Sequence, residues 1–524
     1  MLLATMANPL IYFSGCLFLS ILIILIKFFN KVWWTPIRIQ SLMKSQGIRG
    51  PSYRFLHGNT KEISTMIRKT RSSPQELLHH TLPMVHPHFY SWIKLYGMNF
   101  LQWYGPQAQL IITEPELVKQ ILSNKDRAYP KTKVSSEIKK LLGDGIVLSE
   151  GEKWVKLRKL ANHAFHGESI KGMVPEMIAS LEIMLERWRH HHSKEIDIFV
   201  EFKILTSEVI SRTSFGSSYL EGQHVFDMLT RMTHIISENN YRVRIPGIGK
   251  FVKASYDIEF ENLEAKIRKS FMNMMKRREK DATLGELDGY GHDLFGLLLK
   301  AYHDSDETKK ISLDDLIDQC KNFYLAGQET SASALTWIVF LLAVHSDWQD
   351  KARKEVLELF GLQIPSQDRI AKLKIMGIVI NESLRLYTPN AILMRRVERE
   401  TKLGKITVPA NTEVYISTLA VHQNPKIWGE DALLFKPERF ADGVVKATNN
   451  NIAAFMPFGL GPRNCAGMNF AITETKLALS MILQRYSFTL SPTYAHCPTE
   501  VLTMCPQHGV QVILQPYEHI ALKV

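Results

Sequence analysis

Residues 458–467 read FGLGPRNCAG, a run holding three glycines, one proline, one arginine and a single cysteine, Cys465. Neither a helix nor a strand continues through this composition. Gly459, Gly461 and Gly467 admit positive φ and let the backbone approach something flat and bulky, while Pro462 fixes one φ and removes a donor. Just beyond, Phe470, Ile472, Leu477, Leu479 and Ile482 mark the apolar face of a helix. Cys465 is therefore expected on a tight loop feeding a helix N-terminus, where backbone N–H groups aimed at the sulfur favour a thiolate. A thiolate held in this way is an axial ligand for haem iron. The ordinary alternative is a structural cysteine buried beside a turn.

Working outward, residues 311–345 read as one long apolar helix, opened by a Ser312/Asp315 capping box. A second box is expected at Ser346 and Gln349. In the middle of the long helix lies AGQET, residues 326–330. Gly327 costs about 1 kcal/mol in a helix interior relative to Ala. A glycine, an acid and a hydroxyl inside an apolar helix are the kind of local violation expected at a functional site. Gly327 is expected to leave room for a bulky group. Thr330 can bond back to a carbonyl and open a slot for water, and Glu329 can exchange protons with solvent. The alternative is a small-residue contact where two helices cross. Trp154 and Arg158 share a helical face in EKWVKLRKL, as do Glu382 and Arg385 in NESLRL. Arg395 and Arg396 follow in a strand-like stretch, and FKPERF, residues 435–440, contributes Arg439.

The motifs occur in the order WxxxR, AGxET, ExxR, PERF and the cysteine loop. In that order they resemble the cytochrome P-450 superfamily over residues 46–516. The stretch QGIRGPSYRFLHGN, residues 46–59, is similar to the membrane-bound plant clan that modifies terpenoids, steroids and hormones. The resemblance implies a mainly α fold with a smaller β-rich subdomain, and haem b as cofactor. It implies Cys465 as the iron ligand, with Phe458, Arg463 and Gly467 beside the haem and Glu329 and Thr330 as the proton-delivering pair. Trp154 and Arg158 would hold one haem propionate and Arg396 another, the neighbouring Arg395 being the alternative. Glu382, Arg385 and Arg439 would form a buried cluster that supports the loop and does no chemistry. Substrate lining is expected from residues 125–148, 215–240, 323–327, 389–393 and 502–506.

Composition sets bounds on this reading. The chain has 524 residues and a formal net charge of +12. A basic balance suits nucleic acid, an anionic membrane or an acidic protein partner. No block of basic residues interleaved with aromatics is present, so nucleic acid is the weakest of the three and is not expected as a partner. Five widely spaced cysteines with no CxxC pair argue against zinc and against a disulfide scaffold. Residues 10–26 are uncharged and apolar, followed by Lys27, Lys31 and Arg38. This pattern predicts a single transmembrane anchor with the remainder on the cytosolic side, in the endoplasmic reticulum membrane. The expected divisions are an anchor (1–30), a Pro/Gly linker (31–58) and a catalytic domain (59–524). The segment 241–252 could touch the membrane.

No GxGxxG nucleotide fingerprint is present, so electrons must come from another protein, which the resemblance identifies as an NADPH–cytochrome reductase. The expected activity is monooxygenation of an apolar small molecule: a terpenoid, steroid or hormone, or fatty-acid-like compound. The alternatives are a haem-thiolate isomerase or dehydratase acting on a peroxide, and a non-catalytic haem-binding membrane protein.

Overall fold

The computed structural model describes residues 9–72, 74–124, 126–190, 195–239 and 255–517. The segment 241–252 lies outside them. Helices dominate, and the longest described, Leu313–Val344, has 32 residues, about 48 Å at 1.5 Å per residue. Its cap is reciprocal: Ser312 Oγ accepts the Asp315 N–H at 3.1 Å, and Asp315 Oδ2 accepts the Ser312 N–H at 3.0 Å. Most of its side chains are buried, and it runs through the main apolar core. The second expected capping box does not form. The helix Ser346–Phe360 has no side-chain cap. Gln349 instead donates to the carbonyls of Leu342 and Phe488, at 3.1 and 2.9 Å. Both carbonyls are buried, and leaving them unpaired would be costly.

The β-rich part has an apolar core of its own, built on Leu101, Trp103, Leu110, Val414 and Ile416. Its sheet orders four strands as Phe100–Tyr104, Gln107–Ile112, Glu413–Ser417 and Ile392–Arg396. The middle pairing is parallel and the outer two are antiparallel. Register aligns Leu101, Leu110, Val414 and Arg395 in one row, and Gln102, Gln109, Glu413 and Arg396 in the next. Adjacent rows point to opposite faces. The second row is a polar ladder, with Gln102 donating to Gln109 at 2.9 Å and Gln109 to Glu413 at 3.0 Å.

At the N-terminal end, the helix Pro9–Phe29 is apolar, and its described side chains are largely exposed. It is long and apolar enough to cross a membrane. Residues 31–45, expected as linker, are helical instead. A π-turn, Asn30–Trp34, leads into the helix Thr35–Ser45. The Thr35 N–H bonds back to Asn30, and Pro36 then falls in the first turn, where a missing N–H does no harm. Tertiary contacts hold this end in place. Tyr53 donates its hydroxyl to the Val32 carbonyl and packs edge-on against Trp103 at 5.1 Å.

Candidate active site

The cysteine loop folds as its composition demands. Gly459 and Gly461 have φ of 73° and 75°. A Cβ on Gly461 would come within 2.2 Å of the Leu122 carbonyl oxygen, so the loop can pack against the end of the helix Pro115–Leu122 only with glycine there. Gly467 differs from expectation: its φ is −95°, which any residue adopts, and a Cβ there would meet open space. The Cys465 N–H donates to the Phe458 carbonyl at 2.8 Å, pinning the cysteine across the loop. Burial pushes the Cys465 thiol up, opposed by the Gly467 N–H and by the Arg158 cation. The residue is nevertheless exposed by surface area. Strong desolvation and exposed surface coexist when the surface faces an interior void.

Near this sulfur three cations, Lys131, Arg395 and Arg463, face one carboxylate, Glu150. Arg463 donates to the Ser149 carbonyl at 2.8 Å and pairs with Glu150 at 2.7 Å, and its guanidinium stacks 4.5 Å from the Trp154 ring. The Lys131 backbone N–H takes the other Glu150 oxygen at 2.7 Å. Burial, then Arg395 and Arg463, pull the Lys131 ammonium down to about 7. Burial and Arg463 lower Arg395 to about 10. Arg158 clamps Asn464, the residue before the cysteine, donating to its carbonyl and, at 2.8 Å, to its side-chain oxygen.

Arg396, the expected propionate contact, turns to the other face of the sheet. There it bonds Asn411 at 3.0 Å and pairs with Glu398. Arg395 is the one that joins the cation cluster. Sequence reasoning also missed Lys131, which lies in an irregular loop with no local pattern to distinguish it from a surface lysine.

These residues fit haem. Its two carboxylates would offset a surplus of cations that a single Glu150 leaves unmatched. Arg463 Nη1 and the hydroxyls of Thr132 and Ser149 are buried without a partner among the described residues, which is the state expected of donors awaiting an acceptor.

On the central helix, Ala326 is exposed and Gly327 and Thr330 are half-buried, although the helix around them is buried. These residues share one helical face, which is left open where the rest of the helix is packed. Thr330 Oγ1 donates to the Ala326 carbonyl at 2.8 Å. Gly327 has a different use from the one expected. A Cβ there would lie 2.7 Å from the Ile210 side chain, so the glycine permits the crossing with the helix Ile198–Phe215. That same helix supplies Lys203, which pairs with Glu329 at 3.0 Å, and Ser207, which accepts from Gln328 at 2.6 Å. Two of the expected lining segments are tied together, because the Met504 N–H donates to the Pro389 carbonyl at 2.9 Å. The Met504 carbonyl in turn accepts from Ser333 and from Trp337 of the central helix, at 2.5 and 3.0 Å.

The loop is braced from behind. Glu382 and Arg385, both fully buried, form two hydrogen bonds of 2.7 Å. Arg385 also donates to the carbonyls of His422 and Ala432, at 2.8 and 2.7 Å. Arg439 approaches Glu382 at 3.6 Å and donates to the carbonyls of Trp428 and Asp431. His422, which no motif singles out, completes the connection. Burial and Arg385 hold its imidazole down to about 3, so it stays neutral, and its Nε2 accepts the Met456 N–H at 3.0 Å. Met456 lies two residues before Phe458, so the Glu382–Arg385 pair reaches the cysteine loop through a single histidine.

Comparison with known proteins bears on this arrangement. The family model described as cytochrome P450 matches residues 77–514. The chain is 56% identical over 505 residues to cytochrome P450 CYP749A22 of Panax ginseng, covering 96% of each protein. It is 41% identical over 497 residues to cytochrome P450 72A397 of Kalopanax septemlobus, covering 93% of this chain and 94% of the relative. It is 39% identical over 499 residues to cytochrome P450 734A1 of Arabidopsis thaliana, covering 94% of each.

Proposed function

The chain belongs to the cytochrome P450 family, a family of haem-thiolate monooxygenases, and from that premise we propose that it oxidises an apolar small molecule at a membrane surface. The substrate class is a terpenoid, a steroid or hormone, or a fatty-acid-like compound. Electrons come from NADPH through a separate reductase, since the chain has no nucleotide fingerprint of its own. The helix Pro9–Phe29 anchors the protein in the endoplasmic reticulum membrane, with the basic residues that follow it on the cytosolic side.

The observation that carries this reading is the surplus of buried cations beside Cys465. Arg395, Arg463 and Lys131 would hold the haem carboxylates, with Arg158 fixing Asn464 and lowering the cost of charge on the sulfur. Cys465 supplies the thiolate, since a coordinating thiol is deprotonated outright by the metal. When bound, the haem iron supplies oxygen activation and transfer to the substrate. The protein contributes position and protons. Thr330 holds a hydroxyl on the open face of the central helix, and Glu329, paired with half-exposed Lys203, links that face to solvent.

Two measurements test the proposal. Cys465→Ser is expected to abolish the thiolate-type carbon monoxide spectrum while leaving the chain membrane-bound. An unchanged Soret position would remove Cys465 as the ligand. Microsomes carrying the protein and a reductase, supplied with terpenoid, steroid and fatty-acid pools, are expected to form products one oxygen heavier in an NADPH-dependent way. Oxidation confined to polar, water-soluble compounds would overturn the substrate class.

A further inference from the structure

Three polar side chains of the central helix have no part in the machinery described so far. They are Asp318, Lys321 and Asn322, and the last two are 5% and 2% exposed. All three turn to residues 140–147, the end of the helix Ser136–Leu142 and the loop after it. Lys321 donates to the Lys140 carbonyl at 3.0 Å and pairs with Asp318 at 2.8 Å. The other Asp318 oxygen accepts the Asp144 N–H at 2.7 Å. Asn322 uses both ends of its amide: Oδ1 accepts the Val147 N–H at 3.1 Å, and Nδ2 donates to the Leu142 carbonyl. Backbone groups outside regular structure still need partners when buried, and here helical side chains supply them.

The loop sequence fits this contact. Gly143 has φ of 64°, and a Cβ on it would lie 2.0 Å from the Asp318 carboxyl. A Cβ on Gly145 would lie 2.9 Å from the Asn322 amide oxygen. On the outer side Lys153 bridges Asp144 and Asp315, at 2.9 and 2.5 Å.

The position of the contact gives it a use. Asn322, Ala326 and Thr330 follow at four-residue spacing and so share a helical face. Asn322 is buried, whereas Ala326 is exposed and Thr330 half-buried. The loop therefore covers the helix up to the point where the open stretch begins. At its far end the same segment meets the cysteine loop, since Arg463 donates to the Ser149 carbonyl and pairs with Glu150. Residues 142–150 thus run from the central helix to the loop that carries Cys465.

We infer that Asp318 and Asn322 are positioning residues that hold residues 142–147 as a fixed wall at this edge of the site, and that the wall limits the size of the molecule admitted. The inference rests on the haem-thiolate reading of the site, and its test separates the two.

The test uses the full chain loaded with haem and needs no substrate. Two nitrogen ligands of haem iron, imidazole and the bulky 1-tritylimidazole, are followed by the Soret shift they cause. Asn322→Ala removes two hydrogen bonds from the wall, so the association rate of the bulky ligand relative to imidazole is expected to rise roughly 10-fold. A merely structural loss would move both ligands alike, and an unchanged ratio overturns the inference. Hydrogen exchange of the peptide covering residues 142–149 should quicken in the same variant, and unchanged exchange there also overturns it. If imidazole moves no Soret band even in the parent, the haem reading is at fault, and the exchange alone judges the wall. If Asn322→Ala loads no haem, Gly145→Ala presses on the same contact from the loop side. The ratio should rise there too, and its constancy would overturn the inference.

Discussion

Two buried arginine sites lie within this fold, and they are balanced in opposite ways. At Glu382, Arg385 and Arg439 every charge has its partner: a doubly bonded carboxylate, backbone carbonyls, and no exposure of the central pair. At the cysteine loop one carboxylate, Glu150, faces three cations, Lys131, Arg395 and Arg463, with Arg158 a fourth close by on Asn464, and buried donors are left over among the described residues. In the first arrangement the charges match without any other molecule, although Arg439 Nε, 3.6 Å from Glu382, has no hydrogen bond among the described residues. The second is complete only when an anion arrives. Charge balance, rather than burial or residue type, separates the scaffold from the binding site.

The largest effect is expected at the balanced site. Arg385→Met leaves Glu382 buried and unpaired, and breaking a buried ion pair from one side costs about 3–5 kcal/mol. The variant should accumulate little haem-loaded protein, as read by haem content and thermal unfolding. Retention of parental stability would show that the pair is not the scaffold described here.

A smaller effect, with a sign that depends on haem, is expected at the unbalanced site. If Arg395 holds a haem carboxylate as proposed, Arg395→Met would remove a charge-assisted hydrogen bond of roughly 1.5–3 kcal/mol, or about 10–100-fold in haem affinity. In the haem-free protein the same change relieves repulsion among buried cations, so apo stability should hold or rise. Arg396→Met, on the other sheet face, should leave haem affinity within a few-fold of the parent. Equal losses from the two variants, measured by haem titration of apoprotein, would dissolve the distinction between the rows.

Near neutral pH the smallest effect is that of a titrating group. The His422 imidazole is held down to about 3 in the folded protein, against an ordinary value near 6.5. Between these values the unfolded chain binds a proton that the folded chain refuses. Stability therefore falls as pH drops from about 6.5 toward 3, and this group has no effect above that range. Buried His79, His88 and His496 are shifted in the same direction. His422→Gln should consequently flatten the acid limb of a stability–pH curve without abolishing it. An unchanged slope would mean that the histidine between the scaffold and the loop is not neutral.

The sequence reading and the structure part at particular residues. The cysteine loop is legible because three glycines and a proline leave the backbone few conformations. The capping box at Ser312 is legible because both of its partners are local. The box at Ser346 is not, since Gln349 finds better use in carbonyls distant in sequence. The helical run through residues 31–45 was hidden by Pro36, which the preceding π-turn accommodates. Gly327 was read as leaving room for a bulky group, and the bulk it makes room for is Ile210 on a crossing helix, which is the alternative reading of that glycine.

What the sequence determined by itself is whatever depends on covalent neighbours: the tight turn at Cys465, the long capped helix, and the pairing of residues three or four apart such as Glu382 with Arg385. It also required that Arg395 and Arg396 point to opposite faces, because a strand alternates. Which of the two meets the cysteine loop was left to the tertiary structure. Strand alternation has two equivalent phases, and only pairing with Glu413–Ser417 and packing against distant residues choose between them. The same holds for the surplus of cations at the site. Lys131, Arg158, Arg395 and Arg463 are far apart along the chain, so their shared lack of a counter-charge exists only once the fold has brought them together.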